Sequence, residues 1–222
     1  MSRADSGRVR LTERDLRVLT WTGEMYAVDL DVLGLLLARW SPQAVSDGSR
    51  GPLARSQAGR LERAGVASRR TVLGRPWLVP SRDGLAFAGL PYAPWEPVGW
   101  KLDHLATVAR LRLDLEAKAP DAPWESERAI RGRWHGTGAR VRIPDGAFTL
   151  TDGRRIAVEV ELHRKAARRY PPICADQDPA WDAVWWFTRP GDVLWLERVL
   201  AEVAKPARPV HRVTPLPDGI GS

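Results

Sequence analysis

The 222-residue chain holds one cysteine, Cys174, and so cannot form an internal disulfide. A chain without a disulfide framework fits a reducing compartment. No apolar run approaches the roughly 20 residues that span a bilayer. The start Met1-Ser-Arg-Ala-Asp-Ser-Gly-Arg8 lacks the apolar core of a signal peptide. These absences lead us to expect a soluble cytoplasmic protein with no membrane partner. No spacing among the four histidines and Cys174 suits a zinc site. No glycine-rich phosphate loop occurs, which disfavours nucleotide hydrolysis. Lysine is scarce too: Lys101, Lys118, Lys165 and Lys205 are the only four among 34 basic residues.

The other 30 basic residues are arginines, and the net charge is +7. A positive balance points to a polyanionic partner, although a GC-rich genome also enriches arginine. The length allows one large domain or two small ones. Pro91, Pro94 and Pro97 recur at three-residue spacing in the stretch 90–99. Proline fixes φ and removes an amide donor, so neither a helix nor a central strand runs through such a stretch. The expected plan is a first domain over residues 1–90, a proline-rich linker at 91–100, and a second domain over 101–222.

In the first domain, Thr12 with Asp15 three residues later resembles a capping box that opens a helix carrying Leu16, Val18, Leu19 and Met25. A second helix from about residue 29 has Leu30, Leu33, Leu36 and Leu37 at helical spacing. After a break at residues 40–48, a third helix is expected from Pro52 to Ala64, with Gly65 ending it. Residues 66–79 then read as a β-hairpin turning near Gly74, followed by a short helical turn at 81–87. Three helices and a basic hairpin make the plan of a winged helix-turn-helix. Leu53, Gln57, Leu61 and Ala64 trace the core face of the third helix. Arg55, Ser56, Arg60 and Arg63 are expected on the other side, where a major groove of double-stranded DNA would meet them. Arg69, Arg70 and Arg75 lie in or beside the hairpin, suited to phosphates. Protein contacts with a merely solvated basic face are the alternative.

The second domain reads α-β-β-β-α-β-α-β. Its elements are a helix at 100–118, strands at 127–134, at 139–143 extending to 149, and at 155–162, a basic helix at 164–170, a strand at 183–188, a helix at 190–203 and a strand at 209–214. In Arg155-Ile-Ala-Val-Glu-Val-Glu-Leu162 the alternation places Glu159 and Glu161 on one face and Val158, Val160 and Leu162 on the other. Burying two such acids without compensation is costly. A hard cation such as Mg²⁺ relieves it, and so does a water-facing sheet edge or pairing with arginine.

This order, with Pro144-Asp145 ahead of Glu159 and Glu161, resembles the restriction-endonuclease-like fold of the PD-(D/E)xK nucleases. The resemblance implies Mg²⁺ held by Asp145, Glu159 and Glu161, a metal that would polarise the scissile phosphate and activate water. The position of the usual lysine is Glu161, so the motif departs from the common pattern, and Lys165 or Arg164 on the following segment is the substitute. An upstream acid of the fold falls on Glu127, with an ion pair to Arg128 as the structural alternative. The whole chain also resembles the replication-relaxation family of plasmid and integrative-element proteins. That resemblance is carried by Leu11-Thr-Glu-Arg-Asp-Leu-Arg-Val-Leu19, Gln57-Ala-Gly-Arg-Leu-Glu-Arg-Ala-Gly65, Leu102-Asp-His-Leu-Ala106, Trp124-Glu-Ser-Glu-Arg128, Ile143-Pro-Asp-Gly146 and Ala157-Val-Glu-Val-Glu-Leu162. It implies a DNA-bound role in replication, relaxation or transfer of a mobile element, with replication or transfer proteins as partners. Three functions follow as expectations, the first preferred: a DNA-binding accessory factor, a Mg²⁺-dependent nuclease or nickase, and a transcriptional regulator whose second domain dimerises or senses.

Overall fold

The computed structural model describes residues 10–41, 43–135, 138, 141–177, 181–203 and 209–220. It is an α+β structure that divides by internal contacts into two compact units, Met1–Ala106 and Thr107–Ser222. The division falls inside helix α5 (Gly99–Lys118), a few residues beyond the proline-rich stretch, which forms neither helix nor strand. Among the described residues no helix is long and apolar enough to cross a membrane.

The first unit begins with α1 (Glu13–Glu24), and its start is a complete capping box: the Asp15 amide donates to the Thr12 hydroxyl, while Asp15 accepts from the Thr12 amide. A two-residue strand, β1 (Val28–Asp29), precedes α2 (Leu30–Arg39), where Asp29 caps the amide of Val32 at 2.7 Å. Next comes α3 (Asp47–Arg63), five residues longer at its start than the proline suggests. Pro52 sits inside it, where the missing amide costs one helical hydrogen bond to Gly48. The hairpin β2 (Ala67–Val72) and β3 (Arg75–Pro80) joins β1 in an antiparallel sheet ordered β1-β3-β2. A last short helix, α4 (Arg82–Phe87), closes the set. Val18, Leu19, Leu33, Leu36, Leu37, Ala54, Ala58, Leu61 and Leu78 are fully buried and form the core. Gly84 leaves no room for a side chain, since a Cβ there would lie 1.8 Å from the Val66 carbonyl oxygen.

The connector packs through Trp95, which lies against a cluster of Ala27, Trp77, Val79, Leu102 and Ala106 and meets Tyr26 at 5.6 Å between ring centroids. Trp100, at the start of α5, is 79% exposed.

The second unit is built on a mixed five-stranded sheet, β4 (Trp124–Ser126), β5 (Gly146–Thr149), β6 (Arg155–Glu161), β7 (Ala183–Thr188) and β8 (Val210–Pro215), paired in that order. β4, β5 and β6 run antiparallel, and β6, β7 and β8 run parallel. Helices α6 (Glu127–Trp134), α7 (Tyr170–Ala175) and α8 (Val193–Val203) cover one face, where Ile130, Tyr170, Leu196, Val199 and Leu200 pack on Ala147, Ala157, Val184 and Trp186. The order is therefore α-β-α-β-β-α-β-α-β, and three expectations change. Residues 127–134 form a helix, because the Ser126 hydroxyl caps the Ala129 amide at 3.3 Å and Ile130 is the buried position of a short amphipathic turn. Strand β5 starts only at Gly146, since Pro144 offers no amide to a ladder. Ala139 and Arg140 lie outside the described residues. The segment after β6 becomes helical at Ala167–Arg169 in a 3₁₀ turn, then continues through Pro171 and Pro172 as the first turn of α7, where proline is tolerated.

Candidate functional site

Two places in the chain gather charge, one in each unit. In the first, a buried carboxylate fixes the orientation of α3. Asp15 is fully buried and receives Gln57 Nε2 at 2.6 Å and Arg60 Nε at 3.0 Å, besides the Thr12 amide at 2.8 Å and hydroxyl at 2.9 Å. Burial is the largest single influence on this carboxyl and would raise its pKa, but the donors together hold it below the usual carboxylate range. Arg60 also donates to the Arg10 carbonyl. It is thus not part of the outward face, contrary to expectation: the helical turn that brings Gln57 inward brings Arg60 to the same carboxylate.

With that side committed, the outer side of α3 carries exposed Arg55, Ser56 and Arg63. Ser56 and Arg63 stand seven residues apart, two turns on one stripe, and Arg55 adjoins it one position before Ser56. Small residues lie along it: Pro52, Ser56 and Gly59 present little bulk, and a side chain added at Gly59 would first meet the Arg63 guanidinium at 3.5 Å. The hairpin arginines differ among themselves. Arg69 is held by Glu62 of α3 at 2.7 Å, and hydrogen bonds from Arg69 hold the Glu62 carboxyl below its ordinary range. Arg75 pairs with Asp103 at 3.1 Å. Arg70 is exposed beside the turn at Leu73-Gly74. Of the seven residues expected to meet DNA, Arg55, Ser56, Arg63 and Arg70 are presented outward, Arg69 and Arg75 are exposed but paired, and Arg60 is half-buried and committed to Asp15.

In the second unit, Glu159 and Glu161 are 2% and 4% exposed on β6, far more buried than a sheet-edge pair would be. Register puts them opposite Trp186 and Thr188 of β7. Asp145 comes to the same place just before β5, rather than at the end of a strand. Its amide donates to the Val158 carbonyl at 3.0 Å, and its Oδ2 accepts from the Val160 amide at 2.7 Å. The carboxylate thus stands in for the carbonyl that β5 would have supplied had it begun two residues earlier. Gly146 follows because a Cβ there would lie 2.0 Å from the Trp124 ring.

Of the residues that meet these acids, Lys165 was expected on the segment after β6, whereas Arg142, Gln177 and Tyr170 carry no local sequence signal. Arg142 forms a two-pronged pair with Glu159, Nε to Oε1 at 3.0 Å and Nη2 to Oε2 at 2.9 Å. Gln177 Nε2 reaches the same Oε1 at 3.4 Å. Lys165 Nζ lies 2.5 Å from Glu161 Oε2, and the Tyr170 hydroxyl donates to that oxygen at 3.3 Å. Burial, opposed by Arg142 and reinforced by the Asp145 charge, pushes the Glu159 carboxyl up. Arg142 moves up from an already high value, chiefly through its bond to Glu159. Tyr170 is also pushed up, by burial and then by the Glu161 charge. Cys174 is raised to about 11, by burial first and then by Glu159, which keeps it a neutral thiol.

Glu127 takes no part in this cluster that the geometry shows. It lies in the first turn of α6 and pairs with Arg131, while the neighbouring Glu125 pairs with Arg133 at 2.8 Å. His163 is exposed, and Arg164 is drawn to Asp192 at 2.6 Å. Among the described residues no group of three or more His, Cys, Asp or Glu side chains is arranged to hold a metal ion. The donor chemistry agrees: a hard divalent cation needs several free carboxylate oxygens, whereas Glu159 gives both of its oxygens to Arg142 and Glu161 gives Oε2 to Lys165 and Tyr170. As arranged, these residues do not fit Mg²⁺. No family model, no curated protein and no solved structure matches the chain.

Proposed function

We propose that the chain is a DNA-binding protein whose first unit acts as a winged helix-turn-helix. In this reading α3 enters the major groove through Arg55, Ser56 and Arg63. The β2–β3 hairpin is the wing and sets Arg70, with Arg69 and Arg75, against the phosphates. The observation that carries the reading is the two-sided character of α3. Its inner side is locked to α1 through Asp15, Gln57 and Arg60, so the outer side is presented on a rigid support with small residues that allow close approach to a groove. The resemblance to the replication-relaxation family supports placing this binding in the replication, relaxation or transfer of a mobile element, with the second unit contributing as a nuclease-like fold.

The test is fluorescence anisotropy of a labelled DNA duplex with the full chain and with an Arg55→Ala/Arg63→Ala double variant. Two lost groove or phosphate contacts should weaken binding by roughly tenfold to a hundredfold. Equal affinity for both proteins would reject α3 as the contacting element.

A further inference from the structure

We infer that Arg142 is the resident cation of the second unit's acid cluster, standing where a nuclease of similar plan would hold its divalent metal, and that the cluster is an internal anchor closed to Mg²⁺. The inference does not rest on the DNA-binding reading.

The geometry supports a cation built into the chain. A guanidinium is planar, permanently charged and less strongly hydrated than Mg²⁺, and its paired N–H groups match the two oxygens of a carboxylate. Arg142 meets Glu159 in that way, at 3.0 and 2.9 Å, and its charge also acts on Asp145 and Glu161. The pairing is supported from behind. The Arg142 amide donates to the Asp176 carbonyl at 2.6 Å, and Arg142 forms a parallel β-bridge with Gln177. Gln177 in turn sends its side-chain amide to the oxygen that Arg142 Nε engages. Two chain segments, one running into β5 and one following α7, are thereby tied to each other and to the same buried carboxylate. Lys165 supplies the second internal cation, four residues after its partner Glu161. Three acids face two cations, and the Asp145 carboxylate finds the Val160 amide as well. For Mg²⁺ to bind, the guanidinium would have to leave Glu159 and expose an anchor that holds two segments in place.

This assignment changes what the acids do. Cleavage of DNA through Mg²⁺ bound here is not an activity of the native chain. Asp145, Glu159 and Glu161 instead organise the sheet face on which α7 and the segment after it rest.

Calorimetric titration of Mn²⁺ into the full-length protein, with thermal unfolding at zero and millimolar Mn²⁺, tests the inference. The wild type should show no binding heat up to about 1 mM, and its Tm should not move with Mn²⁺. Arg142→Ala leaves a buried carboxylate cluster without its cation, so its Tm should fall by several degrees and recover in part on adding Mn²⁺. Should Arg142→Ala not fold, Arg142→Met combined with Glu159→Gln removes both charges and should be more stable than Arg142→Met alone. Wild-type Mn²⁺ binding with a Kd below 1 mM that Glu159→Gln abolishes would overturn the inference. So would an Arg142→Ala protein with an unchanged Tm.

Discussion

At the scale of single residues, the chain uses buried carboxylates as organisers, and Asp15 is the clearest. Four donors converge on it, two from the cap of its own helix and two from α3, and its pKa is lower folded than unfolded. A depressed carboxylate contributes stability that is fully present above its unfolded value, near 3.8, and is lost as pH falls through the folded value. Asp15→Asn keeps the shape but replaces a charged acceptor with an amide whose nitrogen cannot accept from Gln57 or Arg60. We expect a loss of about 2 to 3 kcal/mol at neutral pH, and a smaller gap between variant and wild type below about pH 3. Chemical denaturation at both pH values checks this, and a gap that stayed constant with pH would show that the charge is not what matters. The capping box around Asp15 was legible in Thr12-Glu-Arg-Asp15, since it needs only a three-residue spacing. Its links to Gln57 and Arg60, 42 and 45 residues on, were not. The same holds for Arg142: in a chain with 30 arginines, no local pattern distinguishes the one that the fold carries to Glu159, 17 residues away.

At the scale of elements, what was legible followed periodicity. Leu30, Leu33, Leu36 and Leu37 announce α2, and the apolar run 183–188 is β7 as read. Alternation in β6 separates the acids from Val158 and Val160, yet the burial of both faces depends on the rest of the fold and has no trace in the strand itself. Helix α6 escaped because eight residues containing Gly132 and three arginines carry a weak pattern. Its cap, Ser126, was the signal that could have found it. The β2–β3 hairpin carries a testable strain. Its two turn residues both have positive φ, 51° at Leu73 and 76° at Gly74, as a type I′ turn requires. Glycine and asparagine adopt that conformation easily, whereas a branched leucine does so at a cost of about 1 kcal/mol or more. Leu73 is also 80% exposed, so little packing offsets the strain. Leu73→Asn should stabilise the protein by about 0.5 to 1 kcal/mol, raising Tm by a few degrees in a calorimetric scan. A lowered Tm would mean that the side chain's approach to Gly99 outweighs the strain.

At the scale of the whole molecule, charge is the property that the sequence stated and the structure redistributes. The net value of +7 suggests arginines spread for an anionic partner, but Arg60 and Arg142 are spent on buried acids, Arg164 on half-buried Asp192, and Arg69 and Arg75 on exposed acids. The exposed pairs each contribute little to stability and remain able to exchange a carboxylate for a phosphate. The internal pairs do not, because releasing them strands a buried carboxylate. The distinction predicts the salt dependence of the proposed DNA binding. Each neutralised phosphate lowers log K by about 0.9 per tenfold rise in salt. If Arg55, Arg63, Arg69, Arg70 and Arg75 all engage phosphates, the slope should approach about −4 to −5 for one copy of the chain. If only the outward, unshared Arg55, Arg63 and Arg70 do so, it should lie near −3. Anisotropy titrations between 50 and 300 mM KCl separate these cases, and Arg69→Ala discriminates further: it should reduce the slope by about one in the first and leave it unchanged in the second. A slope near zero would remove electrostatics from the account of binding altogether, and the first unit would then be read as a protein-contact module built on the same helices.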